Sequence, residues 1–183
     1  MPEKQAPLDI AGLDLQQLQE AISARRLPPV QQWNPPHCGH SNMRIARDGT
    51  WFHEDRPIAR PAMVRLFSTV LRREPDGSHV LVTPGEKLTI DVELAPFVAT
   101  GMKVEGTGRD QTIAFQINSG DAVMLGPDHP LRMAQGIPLI EVRSGLEASL
   151  ARPVYYELAE LALQISEMPG VWSNGAFFPL VAA

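Results

Sequence analysis

Apolar and polar residues alternate along much of the chain beyond residue 40, and this period of two is typical of half-buried β-strands. The clearest example is KLTIDVEL at residues 87–94, where Leu, Ile, Val and Leu lie on one face of the strand. Turn sequences rich in glycine separate the predicted strands. Three β-hairpins are therefore predicted, with turns at Asp48-Gly49, Gly106 to Gly108, and Ser144-Gly145.

A helical period replaces this alternation in three places. The first predicted helix covers residues 14–26 and is followed by a proline-rich linker at residues 27–36. The second begins at Pro61, which suits the first position of a helix, and is predicted to continue through residue 73. The third opens at Pro153 and places its buried stripe at Val154, Leu158, Leu161 and Ile165.

Two stretches of the chain share one pattern. RDGTWFHEDRPIARP (47–61) and RSGLEASLARP (143–153) both begin with Arg, a polar residue and Gly, both end in Ala-Arg-Pro, and both lead into a predicted helix. Agreement of order, turn residue and helix start favours an internal duplication. The predicted class is α+β, with two tandem, duplicated β-hairpin/helix units and mostly antiparallel sheet. The predicted divisions are an N-terminal helix and linker (1–36), a first unit (37–96) and a second unit (97–183).

Composition narrows the functional classes. The net charge of −5 and the lack of Lys/Arg runs argue against a general nucleic-acid-binding protein. No window approaches the 18 or so apolar residues of a membrane-spanning helix, and the first thirty residues lack a secretory pattern. The single cysteine, Cys38, is compatible with a reducing compartment. We therefore expect a cytoplasmic protein that does not act at a membrane.

Several motifs are similar to an uncharacterised bacterial family, the one catalogued as domain of unknown function 1285. They are CG…MRIARDGTWFHE…PIARPAMVRLFSTVLRRE (38–74), LVTPGEKLTIDVELAPFVA (81–99), and DHPLR with RPVYYEL (128–158). The resemblance covers most of the chain from about residue 35 onward. It implies a duplicated motif whose C-terminal half is superficially like a pleckstrin-homology domain. It also implies a nucleotide-like ligand between the domains and a part in signalling, with no established catalytic residues.

Arginines that precede the two Ala-Arg-Pro helices suggest an anion site. Guanidinium groups near free backbone N–H groups at a helix start suit phosphate or carboxylate. The leading hypothesis is a non-enzymatic, cofactor-free protein that binds a small anionic ligand, nucleotides included, between its units. The alternative is that each arginine pairs with a nearby carboxylate such as Glu54, Asp55 or Glu157. The predicted charge donors and stacking aromatics are Arg47, Arg60, Lys87, Arg152, Trp51 and Tyr155.

Two other classes remain open from the sequence. His37, Cys38 and His40, with His53 recruited, could form part of a metal-assisted active site, although a closed zinc site needs four ligands. The chain carries no Walker phosphate loop, dinucleotide-binding glycine pattern or nucleophile elbow, so the common enzyme classes lack support. The third class is a protein-interaction module or homo-oligomer that uses an exposed sheet edge or the N-terminal helix.

Overall fold

The computed structural model describes residues 5–163 and 168–181, which form two successive six-stranded sheets with three helices. The first part of the chain contains α1 Leu15–Ala24, β1 His37–Ile45, β2 Trp51–His53, β3 Arg56–Pro57, α2 Pro61–Thr69, β4 Leu71–Arg73, β5 His79–Val82 and β6 Glu86–Val92. The second contains β7 Phe97–Glu105, β8 Thr112–Ile117, β9 Ala122–Met124, β10 Leu131–Ala134, β11 Ile137–Arg143, β12 Leu146–Leu150, α3 Arg152–Leu163, β13 Gly170–Ser173 and β14 Ala176–Pro179.

The two sheets have the same topology. The N-terminal sheet has the order β3-β2-β1-β6-β5-β4, and the C-terminal sheet has the order β9-β8-β7-β12-β11-β10. In each sheet two antiparallel three-stranded meanders meet at one parallel pair, β1 with β6 and β7 with β12. The predicted duplication and the α+β class are thus confirmed. The finer likeness to a pleckstrin-homology domain stays a prediction.

The duplication has a different alignment from the one that the two Ala-Arg-Pro segments suggest. When β1 is matched with β7, α2 lies between the third and fourth strands of its sheet. In contrast, α3 follows the sixth strand of the second sheet. The two Ala-Arg-Pro segments therefore occupy different positions in the repeated unit, and their likeness reflects a local way of starting a helix.

Helix α1 belongs to an N-terminal arm, residues 5–36, that packs across the molecule. Asp14 caps the helix: its carboxylate accepts from the Gln17 N–H at 2.8 Å, and the Gln17 side chain accepts from the Asp14 N–H at 3.1 Å. Leu18 is fully buried in a small apolar cluster with Ala114 and Ala122 of the C-terminal sheet. The apolar face of α1 therefore packs against the C-terminal sheet.

Helix α2 is shorter than predicted. It begins at Pro61 but ends at Thr69, and residues 71–73 form β4, antiparallel to β5. The prediction of helix through residue 73 was wrong because periodicity cannot reveal that a distant strand is available for pairing. Pairing with β5 supplies the backbone hydrogen bonds, and Leu71 enters the core with 1% of its surface exposed.

Other strands escaped the sequence analysis. Residues 37–40, for which no strand was predicted, are the start of β1 and pair in parallel with β6. Strand β10 and the β13–β14 hairpin also lacked a clear alternating pattern. In the described part of the chain, no helix is both long enough and apolar enough to cross a membrane.

A single apolar core joins the two sheets. It contains Ile45 and Leu71 from the N-terminal sheet together with Phe97 and Phe115 from the C-terminal sheet. Helix α3 adds Val154 and Leu158 of its predicted stripe and also Ala162, which was not predicted. Leu161 packs against the core partly buried, and Ile165 lies outside the described residues. Because the core is continuous, the relative positions of the sheets are fixed by packing, and side chains at their junction are held in defined places.

Candidate ligand site between the two sheets

The β1–β2 turn reaches from the N-terminal sheet onto the C-terminal sheet. The Ala46 N–H donates to the Thr50 carbonyl at 2.8 Å, and the Gly49 N–H donates to the Ala46 carbonyl at 2.9 Å. Gly49 has φ +90°, and a Cβ atom there would lie 2.8 Å from Val98 Cγ2. The turn therefore needs glycine both for its backbone conformation and for its close approach to β7.

A cleft of about 650 Å³ opens beside this turn, between the two sheets. Its volume suits a small molecule. The N-terminal side and the loop after β6 contribute Arg44, Arg47, Asp48, Phe52 and Glu93. The C-terminal side contributes Val98, Ile137, Ser149, Leu150 and Arg152.

Arg44 lies in the wall of the cleft, where contacts within the protein hold its side chain. Its guanidinium lies 2.9 Å from Glu93 Oε1 and 3.9 Å from Asp55 Oδ1. It also lies over the Phe52 ring, 4.2 Å from the ring centroid, in a cation–π contact. Arg44 is thus largely satisfied within the protein, and its main effect is to hold Phe52 and Glu93 in place.

Arg47 and Arg152 differ from Arg44 because neither side chain forms an ion pair with any residue in 5–163 or 168–181. Both are exposed, and they approach the cleft from opposite units. Glu93 Oε2 accepts a hydrogen bond from the Arg47 backbone N–H at 2.9 Å, so this carboxylate positions the turn. Two guanidinium groups therefore remain available to an anion.

The acidic residue of the turn, Asp48, forms its hydrogen bonds within the turn. Its carboxylate accepts from the Thr50 N–H at 3.0 Å. Hydrogen bonds from Thr50 hold the pKa of Asp48 below its ordinary value of 3.8, so the group stays ionised at neutral pH. Asp48 thus shapes the turn but adds one negative charge to the rim of the cleft.

Ser149 is a polar residue in the wall of the cleft that sequence analysis missed. It lies on β12 between Ala148 and Leu150, whose side chains belong to the core, so its hydroxyl faces the other side of the sheet. Only 6% of its surface is exposed, and the residue lines the cleft. A hydroxyl in the wall of the cleft can donate a hydrogen bond to a polar ligand atom or accept one from it.

Comparison with known proteins places this architecture in a family. Residues 28–95 match the family model "Domain of unknown function (DUF1285), N-terminal domain", and residues 96–180 match "Protein of unknown function (DUF1285), C-terminal domain". A crystal structure of a DUF1285 family protein from Silicibacter pomeroyi DSS-3 is 46% identical, with a TM-score of 0.81, over 92% of this chain and 95% of that one. The chain belongs to the DUF1285 family.

A second DUF1285 structure, from Shewanella baltica OS155, shares the fold at 20% identity and a TM-score of 0.53. That similarity covers 65% of this chain and 91% of the other. The comparison with curated proteins found no significant match. The family resemblance expected from the sequence motifs is therefore confirmed, and the DUF1285 assignment itself names no ligand or activity.

Two aromatic residues that were predicted to contact the ligand lie outside the cleft. Trp51 is in the core with 2% of its surface exposed, and its ring stacks on Phe67 at a centroid distance of 6.3 Å. Tyr155 packs against the core from α3 and does not line the cleft. Because residues alternate along β2, the aromatic side chain that reaches the cleft is the neighbour of Trp51, Phe52.

Two predicted cations also lie outside the cleft. Arg60 is exposed at the start of α2, and Lys87 on β6 lies 3.5 Å from Glu74 Oε2. The structure therefore brings Arg47 and Arg152 together but separates Arg60 and Lys87 from them. Arg44 could have been found from the sequence, because the alternation in MRIAR places it on the face opposite Met43 and Ile45.

The histidine and cysteine residues considered for a metal site do not converge. His37, Cys38 and His40 lie along the exposed first part of β1, where successive side chains point to opposite faces. His40 instead has Asp91 Oδ2 at 3.5 Å from its Nε2. Across residues 5–163 and 168–181, no group of three His, Cys, Asp or Glu side chains is arranged to hold a metal ion.

Proposed function

We propose that this protein binds a small anionic ligand in the cleft between its two sheets and serves a non-enzymatic, signalling role. The observation that carries the proposal is the convergence of Arg47 and Arg152 on one cleft from different units, each with its guanidinium free of internal ion pairs in the described chain. In a protein with a net charge of −5, two cations at one junction that form no ion pair with the described residues favour a specific anion.

The remaining walls indicate the kind of ligand. Phe52 and Val98 offer apolar surface, and the Ser149 hydroxyl offers one hydrogen-bond donor and acceptor. A ligand with a phosphate or carboxylate at one end and a less polar body fits this distribution. Nucleotides are in this class, and the volume of about 650 Å³ accommodates a mononucleotide-sized molecule.

The position of the cleft supports a signalling role over simple storage. Arg47 comes from the N-terminal unit and Arg152 from the start of α3 in the C-terminal unit. A ligand that contacts both favours the conformations in which both arginines approach it. It would therefore hold the β1–β2 turn and the start of α3 in one arrangement that a partner could recognise.

The test is a thermal-shift screen of untagged full-length protein. The panel contains nucleotides, cyclic and dinucleotide messengers, phosphorylated metabolites, and zinc with and without chelator. A ligand at a hundred times its Kd adds about 2.7 kcal/mol to the free energy of unfolding, which raises Tm by several degrees in a protein of this size. We expect an anionic compound to produce this shift.

Matched variants locate the binding. Arg47→Gln and Arg152→Gln should each abolish most of the shift, because a lost charge-assisted hydrogen bond lowers affinity by about tenfold or more. Arg60→Gln removes an equally exposed arginine outside the cleft and should leave the shift unchanged. A shift that persists in both cleft variants, or one caused by zinc alone, would refute the proposal.

A further inference from the structure

A second groove, distinct from the cleft, lies where the N-terminal arm meets β4. It has a volume of about 470 Å³ and is lined by Trp33 and Asn34 of the arm, by Arg72, Arg73 and Glu74, and by Ser144 of the β11–β12 turn. We propose that this groove is a second anion site that takes the phosphate group of a small molecule or inorganic phosphate itself.

The Arg72 side chain is held in a fixed position in the wall of this groove. Its surface is only 8% exposed, and its Nε donates to Glu74 Oε1 at 2.7 Å. Its Nη1 donates to the backbone carbonyls of Val30 and Trp33 at 2.8 and 2.7 Å. The guanidinium is therefore rigidly held, while its Nη2 group has no acceptor among the described residues. A buried guanidinium with one unused edge is suited to bind an oxyanion without further ordering.

The charges around Arg72 favour an anion. Arg73 lines the same groove and is exposed, and it uses only Nη1 internally, in a hydrogen bond to the Gly145 carbonyl at 3.1 Å. Glu74 supplies the only carboxylate among the lining residues, and it is neutralised by Arg72 and by Lys87 Nζ at 3.5 Å. Among the lining residues two guanidinium groups accompany one carboxylate, so the groove has an excess of positive charge that favours an anion.

Three parts of the chain meet at this groove: the arm, the N-terminal sheet and the β11–β12 turn. The side-chain amide of Asn34 and the hydroxyl of Ser144 add neutral hydrogen-bonding groups to its rim. A bound phosphate would therefore fix the arm to both units through Arg72 and Arg73. This site is independent of the cleft, because the two share no lining residue.

The experiment uses ¹⁵N-labelled full-length protein and follows the indole N–H signals of its three tryptophans. Trp33 lines the groove, Trp51 is in the core, and Trp172 packs on Phe177 away from it. Trp33→Phe assigns the relevant signal. Titration with inorganic phosphate, and separately with phenyl phosphate, at constant ionic strength should move the Trp33 signal saturably and leave the other two unchanged.

Variants separate this site from the cleft. Arg73→Gln should raise the Kd about tenfold or more, since it removes a charged donor from an exposed position without disturbing the core. Arg56→Gln, on the exposed strand β3, and Arg47→Gln, in the cleft, should leave the Kd unchanged. Tighter binding of phenyl phosphate assigns a phosphomonoester, and equal binding assigns inorganic phosphate. A linear response, an unchanged Kd in Arg73→Gln, or a loss in Arg47→Gln would overturn the proposal.

Discussion

Two turns with the same sequence pattern, Arg47-Asp48-Gly49 and Arg143-Ser144-Gly145, both reach from one unit to the other. In the first, Gly49 packs against Val98 of the C-terminal sheet. In the second, the Gly145 carbonyl accepts a hydrogen bond from Arg73 of the N-terminal sheet. The two turns thus make reciprocal contacts across the junction, but their arginines have opposite fates.

Arg143 is used entirely by the fold. Its Nη2 donates to the Ser68 carbonyl at 2.5 Å, its Nη1 lies 3.7 Å from Asp121 Oδ2, and its guanidinium lies over the Phe97 ring at 5.2 Å. Burial lowers the pKa of Arg143, and Asp121 opposes that shift. Asp121 is also paired with Arg25 of the arm at 3.4 Å, so Arg143 belongs to a network that joins both units and the arm.

Arg47, by contrast, contributes only its backbone N–H to the structure, through the hydrogen bond to Glu93. Its side chain is exposed at the cleft. One sequence pattern therefore supplies a structural clamp in one place and a free cation in the other. The difference arises from surroundings, because of the two side chains only that of Arg143 contacts a carbonyl, a carboxylate and an aromatic face among the described residues.

The largest expected effect comes from removing the clamp. Arg143→Met keeps most of the apolar stem but removes the guanidinium that donates to the Ser68 carbonyl and pairs with Asp121, which keeps Arg25 as its remaining ion-pair partner. Loss of a largely buried charge partner should lower the free energy of unfolding by about 3 kcal/mol. The matched change Arg47→Met should alter it by less than about 0.5 kcal/mol, as at other exposed positions. Urea denaturation of the two variants measures both, and equal losses would show that the turns do not differ.

The glycines of the two turns give the next contrast. Both have positive φ, +90° at Gly49 and +79° at Gly145. A Cβ atom at Gly145 would meet its nearest neighbour, Arg73 Cδ, at an ordinary 3.5 Å, whereas at Gly49 it would lie 2.8 Å from Val98 Cγ2. Gly145→Ala should thus cost about 1 kcal/mol for the backbone conformation alone, and Gly49→Ala about 2 to 3 kcal/mol because overpacking is added.

Thermal unfolding of the two alanine variants measures this difference. Equal shifts in Tm would mean that the β1–β2 turn does not press against β7 as described. Gly175→Ala provides a control, because Gly175 also has positive φ, +80°, and a Cβ atom there would meet nothing within 4 Å. Its cost should resemble that of Gly145→Ala.

The smallest expected effect is a dependence of the free energy of unfolding on pH, which arises near the contact between Arg73 and the second turn. His79 on β5 faces Arg73, the residue that holds Gly145. Burial lowers the pKa of His79 from its ordinary value of 6.5, Arg73 lowers it further, and Glu147 acts in the opposite direction. The unfolded chain therefore binds this proton more tightly, and the free energy of unfolding should decrease as the pH falls below about 6.5.

His79→Gln should remove part of that decrease, and His53→Gln, at an exposed position, should not. Chemical denaturation at pH 7.5 and pH 5.5, chosen as roughly one unit on either side of the ordinary histidine pKa, gives the comparison. Identical pH dependence in wild type and His79→Gln would contradict the account of this contact.

Local features of the fold could be predicted, and pairings between distant strands could not. The Asp48-Gly49 and Ser144-Gly145 hairpins and the Pro61 helix start follow from short-range chemistry that the sequence carries directly. The parallel pairs β1–β6 and β7–β12 join strands tens of residues apart, and no local signal encodes their register. The same limitation explains why Leu71–Arg73 was predicted as helix, since its partner β5 decides its conformation.

Some residues of the candidate site could likewise be predicted from the sequence, and others could not. Arg47 and Arg152 were predicted because both lie in a recognisable turn or helix start. Trp51 was chosen over Phe52 because sequence composition does not show which face of a two-sided strand is buried. Ser149 and Arg72 gave no sequence signal, since their places in the walls of the cleft and the groove appear only when the packed surroundings are known.

The most direct test of anion binding by Arg47 and Arg152 compares ligand affinity with the free energy of unfolding in the same variants. Calorimetric titration would use the anionic compound that gives the largest thermal shift, with wild type, Arg47→Gln and Arg152→Gln, alongside urea denaturation of each. We expect both variants to lose affinity by about tenfold or more and to keep the free energy of unfolding of the wild type. Unchanged affinity, or a loss of stability in Arg47→Gln as large as that in Arg143→Met, would contradict it.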